Sequence, residues 1–550
     1  MGVPYNELLF KPIKRRRTMV RKLISLFLLV AFVLAACTPA TTTPEPPAPQ
    51  PTQAPSSGGE QPAAPTTAPE PACTEPVTLD LYMVGSGDSP ARPDVEAELN
   101  AYIEPLICAN VRFNIVGWGD WFSKAITGIQ AGEKMDIFFT ADWWQYNELV
   151  AQGLLLPLND DNGPNGNLLK LYGQGILESL NPAFISGTQV NGVNYAVPVN
   201  KELAVPDGFI YNVTLAEQIG FTKEDAAKIK SMRDFEPWLE KAKAARPNEY
   251  PYLVNFMPGF EPWLDGFASG VPQNIITMNG IPDANGKFDE TIINIVESDW
   301  FREYVTIIRE WREKGWVHPE AALTGYEPDK LMNAGQFFVV AQPLKGYGIK
   351  AQEIMNSSGN PDLRVAEIEW APKVIATLHT GGSMMAIPAL SEHPVEAMKF
   401  INLLHTDKKV VNTCLYGVEG KHWQLEADGR INLIDGSWYT AHPGPWVWGN
   451  TQIQYVTNKE DPNKNKMLIE YANDAYPHPS LGFRFNKTPV EAEITALNAV
   501  TDKYWTPLIY GYIDPATELP KFIEELKAAG VDKVKAEVER QYQAWKATKK

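Results

Sequence analysis

The sequence predicts an α/β protein with two doubly wound lobes joined by a hinge of several chain segments. Strand-like and helix-like runs alternate from residue 77 onwards, which is typical of a layered α/β fold. About 475 residues follow the first 76, too many for one small core and enough for two lobes. A late strand and helix return after the second lobe has begun. We therefore expect several crossings between the lobes, which permit hinge closure.

The first lobe is predicted from its opening runs. A strand from Val77 to Val84 is followed by an amphipathic stretch from Arg92 to Ile107 and a second strand from Val111 to Val116. A helix from Trp121 to Ala131 and a buried strand from Met135 to Phe139 complete the series. This order predicts a parallel sheet, in which ligands bind beyond the carboxyl ends of the strands.

The second lobe is expected to begin after Pro198. Its predicted strands run from Gly208 to Asn212 and from Phe337 to Ala341, with helices from Arg233 to Ala245 and from Trp300 to Lys314 between them. The returning strand and helix are predicted from Gly381 to Pro388 and from Val395 to Leu404.

These elements set the predicted boundaries. We assign residues 77–200 and about 380–415 to lobe 1, and residues 201–375 and about 416–550 to lobe 2. The last stretch, from Pro520 to Trp545, has apolar residues at helical spacing and predicts a terminal helix that faces the core.

The N-terminus has the pattern of a bacterial secretory leader. A basic cluster precedes an apolar run from Leu23 to Ala36, which is too short for a bilayer that needs about 20 apolar residues. We predict a signal peptide over residues 1–36, with Met19 as an alternative start. The end of the run, Leu34-Ala-Ala-Cys37, resembles the lipobox of bacterial lipoproteins, so Cys37 is the predicted lipidation site. An ordinary signal peptide with an incidental cysteine is the alternative.

The segment after Cys37 is a predicted tether. Up to Pro76 it is rich in Pro, Thr and Ala and contains no Lys or Arg, so it cannot bury enough apolar surface to fold. Residues 37–76 are therefore predicted to be a lipidated cysteine and a disordered stalk that holds the lobes clear of the membrane. A disordered regulatory tail is the alternative.

The charge balance excludes some partners. The chain carries a net charge of −17, and its first 36 residues are basic, so the remainder is more acidic still. Nucleic acid and anionic lipid are poor partners for such a surface.

The chain has four cysteines, and Cys37 is already accounted for by the predicted anchor. Cys73 and Cys108 each precede a predicted strand, and in an oxidising compartment they could form a disulfide or remain two unpaired thiols. Cys414 lies in an apolar helical context and is expected to be a buried free thiol. Because no Cys or His spacing suits zinc, we predict no metal and no cofactor.

Several segments in this order resemble the extracellular solute-binding proteins of ABC importers, most closely the LipO-type lipoproteins with an extra C-terminal domain. The resemblance implies a periplasmic-binding-protein-like fold, a small ligand held between the lobes, often an oligosaccharide, and membrane subunits of an importer as partners. The segments that carry it are Met135-Asp-Ile-Phe-Phe, Leu149 to Leu158, Tyr195 to Lys201, Gly208 to Asn212, Gly382 to Pro388, Tyr416 to His422, Phe483-Arg-Phe-Asn486 and Ala529 to Lys533.

Aromatic residues at predicted loop ends are the first candidates for ligand contacts. Indole rings can cover the apolar faces of a sugar while nearby polar groups hold its hydroxyls. The alternative for each is a place in the core. The candidates, among sixteen tryptophans in the chain, are Trp118, Trp121, Trp143, Trp144, Trp446 and Trp448.

Polar and small residues at the same loop ends complete the predicted site. Asp120, Asp142 and Asn450 could accept hydroxyl hydrogen bonds, or they could cap helices instead. Gly85 ends the first strand. Gln342 and Lys345 follow a strand of lobe 2 at positions that resemble the cleft lining of relatives. His422 is expected to be structural.

The predicted function is capture of a small solute, most simply an oligosaccharide, by a monomer anchored outside the cell membrane. A secreted glycoside hydrolase is the main alternative, because paired carboxylates in an aromatic cleft also suit sugar cleavage. No nucleophile, zinc or nucleotide motif favours an enzyme. A structural surface lipoprotein would need no cleft.

Overall fold

The structure is a computed structural model in which residues 73–255, 257, 270–278, 281–283, 285–323, 326–358 and 360–549 are described. They belong to one compact unit that spans Pro71–Lys550. The predicted signal peptide, Cys37 and the tether up to residue 72 lie outside the described residues. Within the described part of the chain, no helix combines the length and the apolar character that crossing a membrane requires.

Two main sheets, one in each lobe, form the framework of the described region. Their strands are β1 (Val77–Gly85), β2 (Ala109–Gly117), β3 (Ile137–Thr140), β4 (Ala196–Pro198), β5 (Asp207–Asn212), β6 (Tyr252–Leu253), β7 (Val339–Pro343), β8 (Val365–Glu369) and β9 (Met384–Ala386). Short antiparallel pairs join Gln189–Val190 with Val193–Asn194, Ile276–Met278 with Ile292–Asn294, and Trp423–Leu425 with Ile431–Leu433; a parallel pair joins Val374–Ile375 with Tyr476–Pro477.

The sheet of lobe 1 has the strand order β2-β1-β3-β9-β4. Strand β1 is parallel to β2 and β3, as the alternating pattern predicts, whereas β9 is antiparallel to β3 and β4. Every residue of β3 is buried because helices cover both faces of the sheet.

The sheet of lobe 2 has the order β8-β5-β7-β6. Its central strand β5 is antiparallel to β7 and β8, and only β6 and β7 run parallel. The predicted α/β architecture of two lobes is confirmed, but strand direction in this second sheet is mixed. Local periodicity marks a buried strand without marking the direction of its neighbour.

Helices pack against these sheets. Helix Arg92–Ile107 shows why they form: Val95, Leu99, Ile103 and Ile107 recur every four residues and bury one face. The other helices assigned to lobe 1 or the crossing segment before β9 are Thr127–Ala131, Tyr146–Ala151, Leu168–Tyr172, Gln174–Ser179, Pro182–Gly187, Thr377–Thr380, Pro394–Thr406 and Lys408–Tyr416. The helices that follow β5 in lobe 2 and in the last third of the chain are Val213–Ile219, Lys223–Ala226, Glu236–Ala245, Asp299–Glu313, Pro328–Asn333, Ile349–Ser357, Lys464–Tyr471, Glu491–Ile509, Pro515–Ala528 and Val531–Ala547.

The predicted terminal helix is divided in two. Gly530, with φ of 97°, separates Pro515–Ala528 from Val531–Ala547. Val531, Val534, Val538 and Tyr542 are buried against the core of lobe 2, as their spacing predicts.

Residues 416–456 pack on lobe 1, which corrects the boundary near 416 predicted from the sequence. Trp438 and Trp448 belong to the apolar core of lobe 1, where both contact Phe113 at ring distances of 5.2 and 5.9 Å. The indole nitrogen of Trp438 also donates to the carbonyl of Cys414. This region stays with the core of lobe 1 after helix Lys408–Tyr416 because its large aromatic side chains are buried there.

Three chain segments cross between the two cores. The chain passes from the core of lobe 1 to the core of lobe 2 between Leu203 and Phe209. It returns to lobe 1 between Ile368 and Met384, and it passes to lobe 2 again between Trp448 and Phe483. We call these the first, second and third crossings. A hinge of several segments is therefore present.

Cys73 and Cys108 form a disulfide with a Cα–Cα distance of 5.2 Å. It joins the residue at the entrance to β1 to the end of helix Arg92–Ile107. Cys414 is a buried free thiol.

Candidate ligand-binding site between the lobes

A cavity of about 850 Å³ lies between the lobes. Its lining combines residues that follow the strands of lobe 1, residues of the crossings, and the end of β7 with helix Ile349–Ser357 of lobe 2. A pocket of this size holds a small organic ligand, for which volumes of roughly 300–1,000 Å³ are usual.

Three tryptophans form an aromatic wall on the lobe 1 side. Trp118 begins the turn after β2, Trp143 follows β3, and Trp446 lies in the turn Pro445–Val447. The ring of Trp143 is 6.2 Å from that of Trp118 and 6.3 Å from that of Trp446. Trp118 and Trp143 remain 40% and 43% exposed. Adjacent exposed indoles in a concave surface indicate a binding site, because folding normally buries such rings.

The indole nitrogens of Trp143 and Trp446 are hydrogen-bonded within the protein. Trp143 Nε1 donates to the carbonyl of Gly382 at 2.7 Å, and Trp446 Nε1 donates to the carbonyl of Pro443 at 3.0 Å. These bonds fix the rings, so the aromatic faces are the parts of these side chains that a ligand can contact.

Six charged side chains form an ion-pair network that lines the cavity. Lys345 lies 3.7 Å from Glu202 and 3.1 Å from Glu353, and Lys464 lies 3.3 Å from Glu353 and 2.6 Å from Glu460. Its members are Lys201, Glu202, Lys345, Glu353, Glu460 and Lys464. Because they come from the end of lobe 1 just before the first crossing, from lobe 2 and from the third crossing, the network joins all three parts at the cavity.

Neighbouring charges within the network offset the cost of burial for Glu202 and Lys345. Burial alone would raise the pKa of Glu202, but the ammonium groups of Lys201 and Lys345 outweigh it and lower that pKa to about 2. Burial likewise opposes the charge of Lys345, but Glu202 and Glu353 raise its pKa. Three lysines balance three glutamates, so the network offers charged hydrogen-bond partners without a net charge.

Four predicted contact residues line this cavity: Trp118, Trp143, Trp446 and Lys345. The strand-end rule accounts for the first two, since both lie just beyond parallel strands of lobe 1.

Two predicted aromatic contacts lie in the core instead, which corrects their placement. Trp121 is fully buried, with its ring 5.1 Å from Phe138 and 6.0 Å from Phe139. Trp448 is also fully buried and contacts Phe113 and His442. Trp121 lies three residues after Trp118 and Trp448 two residues after Trp446, and the backbone turns between them, so the later ring of each pair faces the inside of lobe 1. Trp144 does not line the cavity; it packs behind Trp118 and Trp143 at 5.4 and 5.1 Å.

The remaining predicted contacts have structural partners, and none of them lines the cavity. Asp120 pairs with Lys124 at 2.9 Å on the surface, and Asn450 uses its amide on Asn200, His405 and the turn that it caps. Gln342 is buried in β7. A side chain at Gly85 would meet the carbonyl of Ala441 at 2.1 Å, so this glycine serves close packing.

Asp142 is likewise buried, and it pairs with Arg484, which follows the third crossing in lobe 2. Its carboxylate therefore holds two chain segments together and does not face the cavity.

Most of the ion-pair network was not predicted from the sequence. Lys201 and Glu202 lie three and four residues after the end of β4, so the rule that selected Trp143 would have selected them too. Glu353, Glu460 and Lys464 lie on a helix or near the start of one, far apart in the chain, and carry no local signal.

The fold and the cavity define a class of binding protein, and the chain belongs to the bacterial extracellular solute-binding protein family, whose model matches residues 109–410. This family binds solutes and is not a family of enzymes, so the glycoside hydrolase alternative is set aside. Residues 479–547 match a domain of unknown function (DUF3502).

Two individual proteins are similar to this chain over most of its length. The chain is 29% identical over 488 residues to a carbohydrate ABC transporter substrate-binding protein of Streptococcus pneumoniae, covering 86% of this chain and 91% of that protein. The N-glycan transport solute binding protein NgtS of S. pneumoniae has a similar structure, with 25% identity and a TM-score of 0.73 over 86% of this chain and 100% of that one. The same protein in complex with Man5GlcNAc gives 25% identity and a TM-score of 0.69 over 86% and 99% of the two chains.

Proposed function

We propose that this protein captures an oligosaccharide in the interlobe cavity and delivers it to the membrane subunits of an ABC importer. The observation that carries the proposal is the aromatic wall of Trp118, Trp143 and Trp446 in the same cavity as the ion-pair network. A sugar ring has apolar C–H faces that indoles cover, and hydroxyls that charged donors and acceptors bind.

The relatives support a carbohydrate ligand. The curated relative carries carbohydrate in its name, and NgtS was crystallised with Man1GlcNAc and with Man5GlcNAc. A cavity of about 850 Å³ has room for several sugar rings.

Capture proceeds by closure of the lobes. A ligand that contacts the aromatic wall on one side and Lys345 on the other interacts with both lobes at once, so its binding stabilises the closed form. The three crossings supply the hinge, and the closed surface is the form that the importer recognises.

The site of action is the outer face of the cell membrane. Lipidation of Cys37 would anchor a monomer there, with residues 38–72 as the tether, because the disulfide fixes Cys73 to the fold. Metabolic labelling with radioactive palmitate tests this part: the parent should incorporate label and the Cys37→Ser variant should not. Equal labelling of both proteins would refute the anchor and leave the ligand proposal standing.

The ligand is tested by a thermal-shift screen of the purified protein. Man1GlcNAc, Man5GlcNAc, fructo-oligosaccharides, uronic acid oligomers and short peptides would be compared, with chromatography of every ligand after incubation. We expect an oligosaccharide to raise the melting temperature and to be recovered intact, since a bound ligand at 100 times its Kd adds about 2.7 kcal/mol of stability. A shift with peptides alone would overturn the sugar proposal, and new products would overturn simple binding.

A further inference from the structure

We propose that Arg484 is a positioning residue of the ligand site, through which the C-terminal domain of unknown function holds the loop that carries Trp143. The inference rests on the proposed function only where ligand affinity is measured. Arg484 lies in the matched segment 479–547 and does not line the cavity.

Arg484 is inserted from lobe 2 into lobe 1. Its neighbours Phe483 and Phe485 are both buried in the core of lobe 2. The ring of Phe483 packs 5.4 Å from Tyr542 and 5.6 Å from Trp545 of the last helix. The two phenylalanines thus fix this segment to lobe 2 on both sides of the arginine, whose side chain points the opposite way.

In lobe 1 the guanidinium of Arg484 is almost completely hydrogen-bonded. Nη1 and Nη2 bind the two carboxylate oxygens of Asp142, Nη2 also donates to the carbonyl of Gly187 at 2.7 Å, and Nε donates to that of Gln189 at 3.0 Å. The two side chains are only 5% and 1% exposed. A bidentate pair that is this buried is strongly oriented, and removing one partner leaves an uncompensated buried charge.

Asp142 connects Arg484 to the aromatic wall. It directly precedes Trp143, and its backbone N–H donates to the carbonyl of Gly381 at 2.8 Å, while Trp143 Nε1 donates to the next carbonyl, that of Gly382. A side chain at Gly381 would meet Asp142 Oδ2 at 1.9 Å, so the second crossing is packed tightly on this carboxylate. Asp142 therefore lies between Arg484 and the segment that orients Trp143.

Loss of Arg484 should free this loop without unfolding either lobe. Asp142 would lose its bidentate guanidinium partner, and the Trp143 ring would lose its fixed orientation. The same segment provides a control: Lys487 also reaches lobe 1, where it pairs with Glu148 at 3.2 Å, but it is further exposed and does not contact Asp142.

The first test needs no ligand. Protein labelled with 5-fluorotryptophan would be studied by ¹⁹F NMR, with the Trp143 resonance assigned by Trp143→Phe. We expect Arg484→Met to shift or broaden that resonance and Lys487→Met to leave it in place. Arg484→Lys keeps the charge but not the bidentate geometry, so it should move the same resonance by less. This milder variant decides the question if Arg484→Met does not fold.

Affinity provides the second test. Calorimetry with Man5GlcNAc as the probe should show a Kd raised about tenfold or more in Arg484→Met and changed by less than about twofold in Lys487→Met. An unmoved Trp143 resonance in the arginine variants, an equal effect of the lysine variant, or a parental Kd in a protein with a moved resonance would each overturn the proposal. If the resonance moves and no protein binds Man5GlcNAc, the positioning stands and this ligand is wrong.

Discussion

The exposure of Trp143 is set by its neighbours in the sequence. Asp142 before it is buried on Arg484, Trp144 after it packs behind the aromatic wall, and the Nε1 of Trp143 is bound to Gly382. The ring is consequently held in place while its face remains open. Such a rigid apolar surface binds ligands well, because little side-chain freedom is lost on binding.

Replacement of the wall tryptophans should weaken ligand binding without a comparable loss of stability. Trp143→Ala and Trp446→Ala are each expected to raise the Kd for the oligosaccharide about tenfold, equal to about 1.4 kcal/mol. Trp300→Ala is the matched control, since Trp300 is a half-buried tryptophan that stacks on Tyr304 in lobe 2. Calorimetry and thermal melts of all three proteins check the prediction, and a uniform effect would contradict it.

One buried carboxyl should make the stability depend on pH. Burial is the main cause that raises the pKa of Glu367 from 4.5 to about 7, with Glu369 adding to it, although the backbone N–H of Ala351 opposes the shift. A pKa raised in the folded state gives stability that is complete below pH 4.5 and is lost as the pH rises through 7. The free energy of unfolding of Glu367→Gln, measured relative to that of the parent, should therefore be higher at pH 8 than at pH 5.

Urea unfolding at the two pH values measures this difference. An equal difference between Glu367→Gln and the parent at pH 5 and pH 8 would show that Glu367 does not titrate in this range.

The place of a residue in the site could be predicted from the sequence only where its neighbours in the chain determine that place. Trp118 and Trp143 were found because they follow strands, and both lie at the cavity. Trp121 and Trp448 have the same residue type and similar positions, yet they are buried, because the direction of a side chain within a turn follows from tertiary packing. The partners of Lys345 are distant in the chain and could not be inferred from it.

Some secondary-structure elements have a clear apolar periodicity in the sequence, and others do not. Helix Asp299–Glu313 and strand β5 lie within a few residues of their predicted bounds because their apolar periodicity is strong. Residues 417–456 contain only short strands and turns, so nothing local assigned them to lobe 1. Their large buried aromatic residues decide that assignment.

The disulfide stabilises the first strand and helix as a unit. It closes a separation of 35 residues, so Cys73→Ser should lower the unfolding free energy by about 2–4 kcal/mol. Urea unfolding with and without dithiothreitol measures the change. Reduction should bring the parent to the value of the variant and leave the variant unaltered; a dithiothreitol effect in the variant would contradict this assignment.

For the whole molecule, two cores joined by three crossings make relative motion of the lobes the main degree of freedom. The ion-pair network adds contacts of lobe 2 with Glu202 at the end of lobe 1 and with Lys464 of the third crossing. Because both lobes line the cavity, ligand affinity and lobe position are coupled.

A ligand should therefore compact the protein. Small-angle X-ray scattering of the parent is expected to show a smaller radius of gyration when the oligosaccharide is saturating. Trp143→Ala at the same sugar concentration should remain closer to the unliganded value. An unchanged radius in the parent, at a concentration where calorimetry shows saturation, would argue against closure.

The disulfide between Cys73 and Cys108 also has a mechanical consequence. In the proposed anchored state, any drag on the protein enters the fold through the chain just before Cys73. The bond passes part of that load to the end of helix Arg92–Ile107 and the start of β2, so β1 cannot be peeled from the sheet by its first residues alone. In the anchored state, the protein is therefore reinforced at the point where force from the anchor enters the fold.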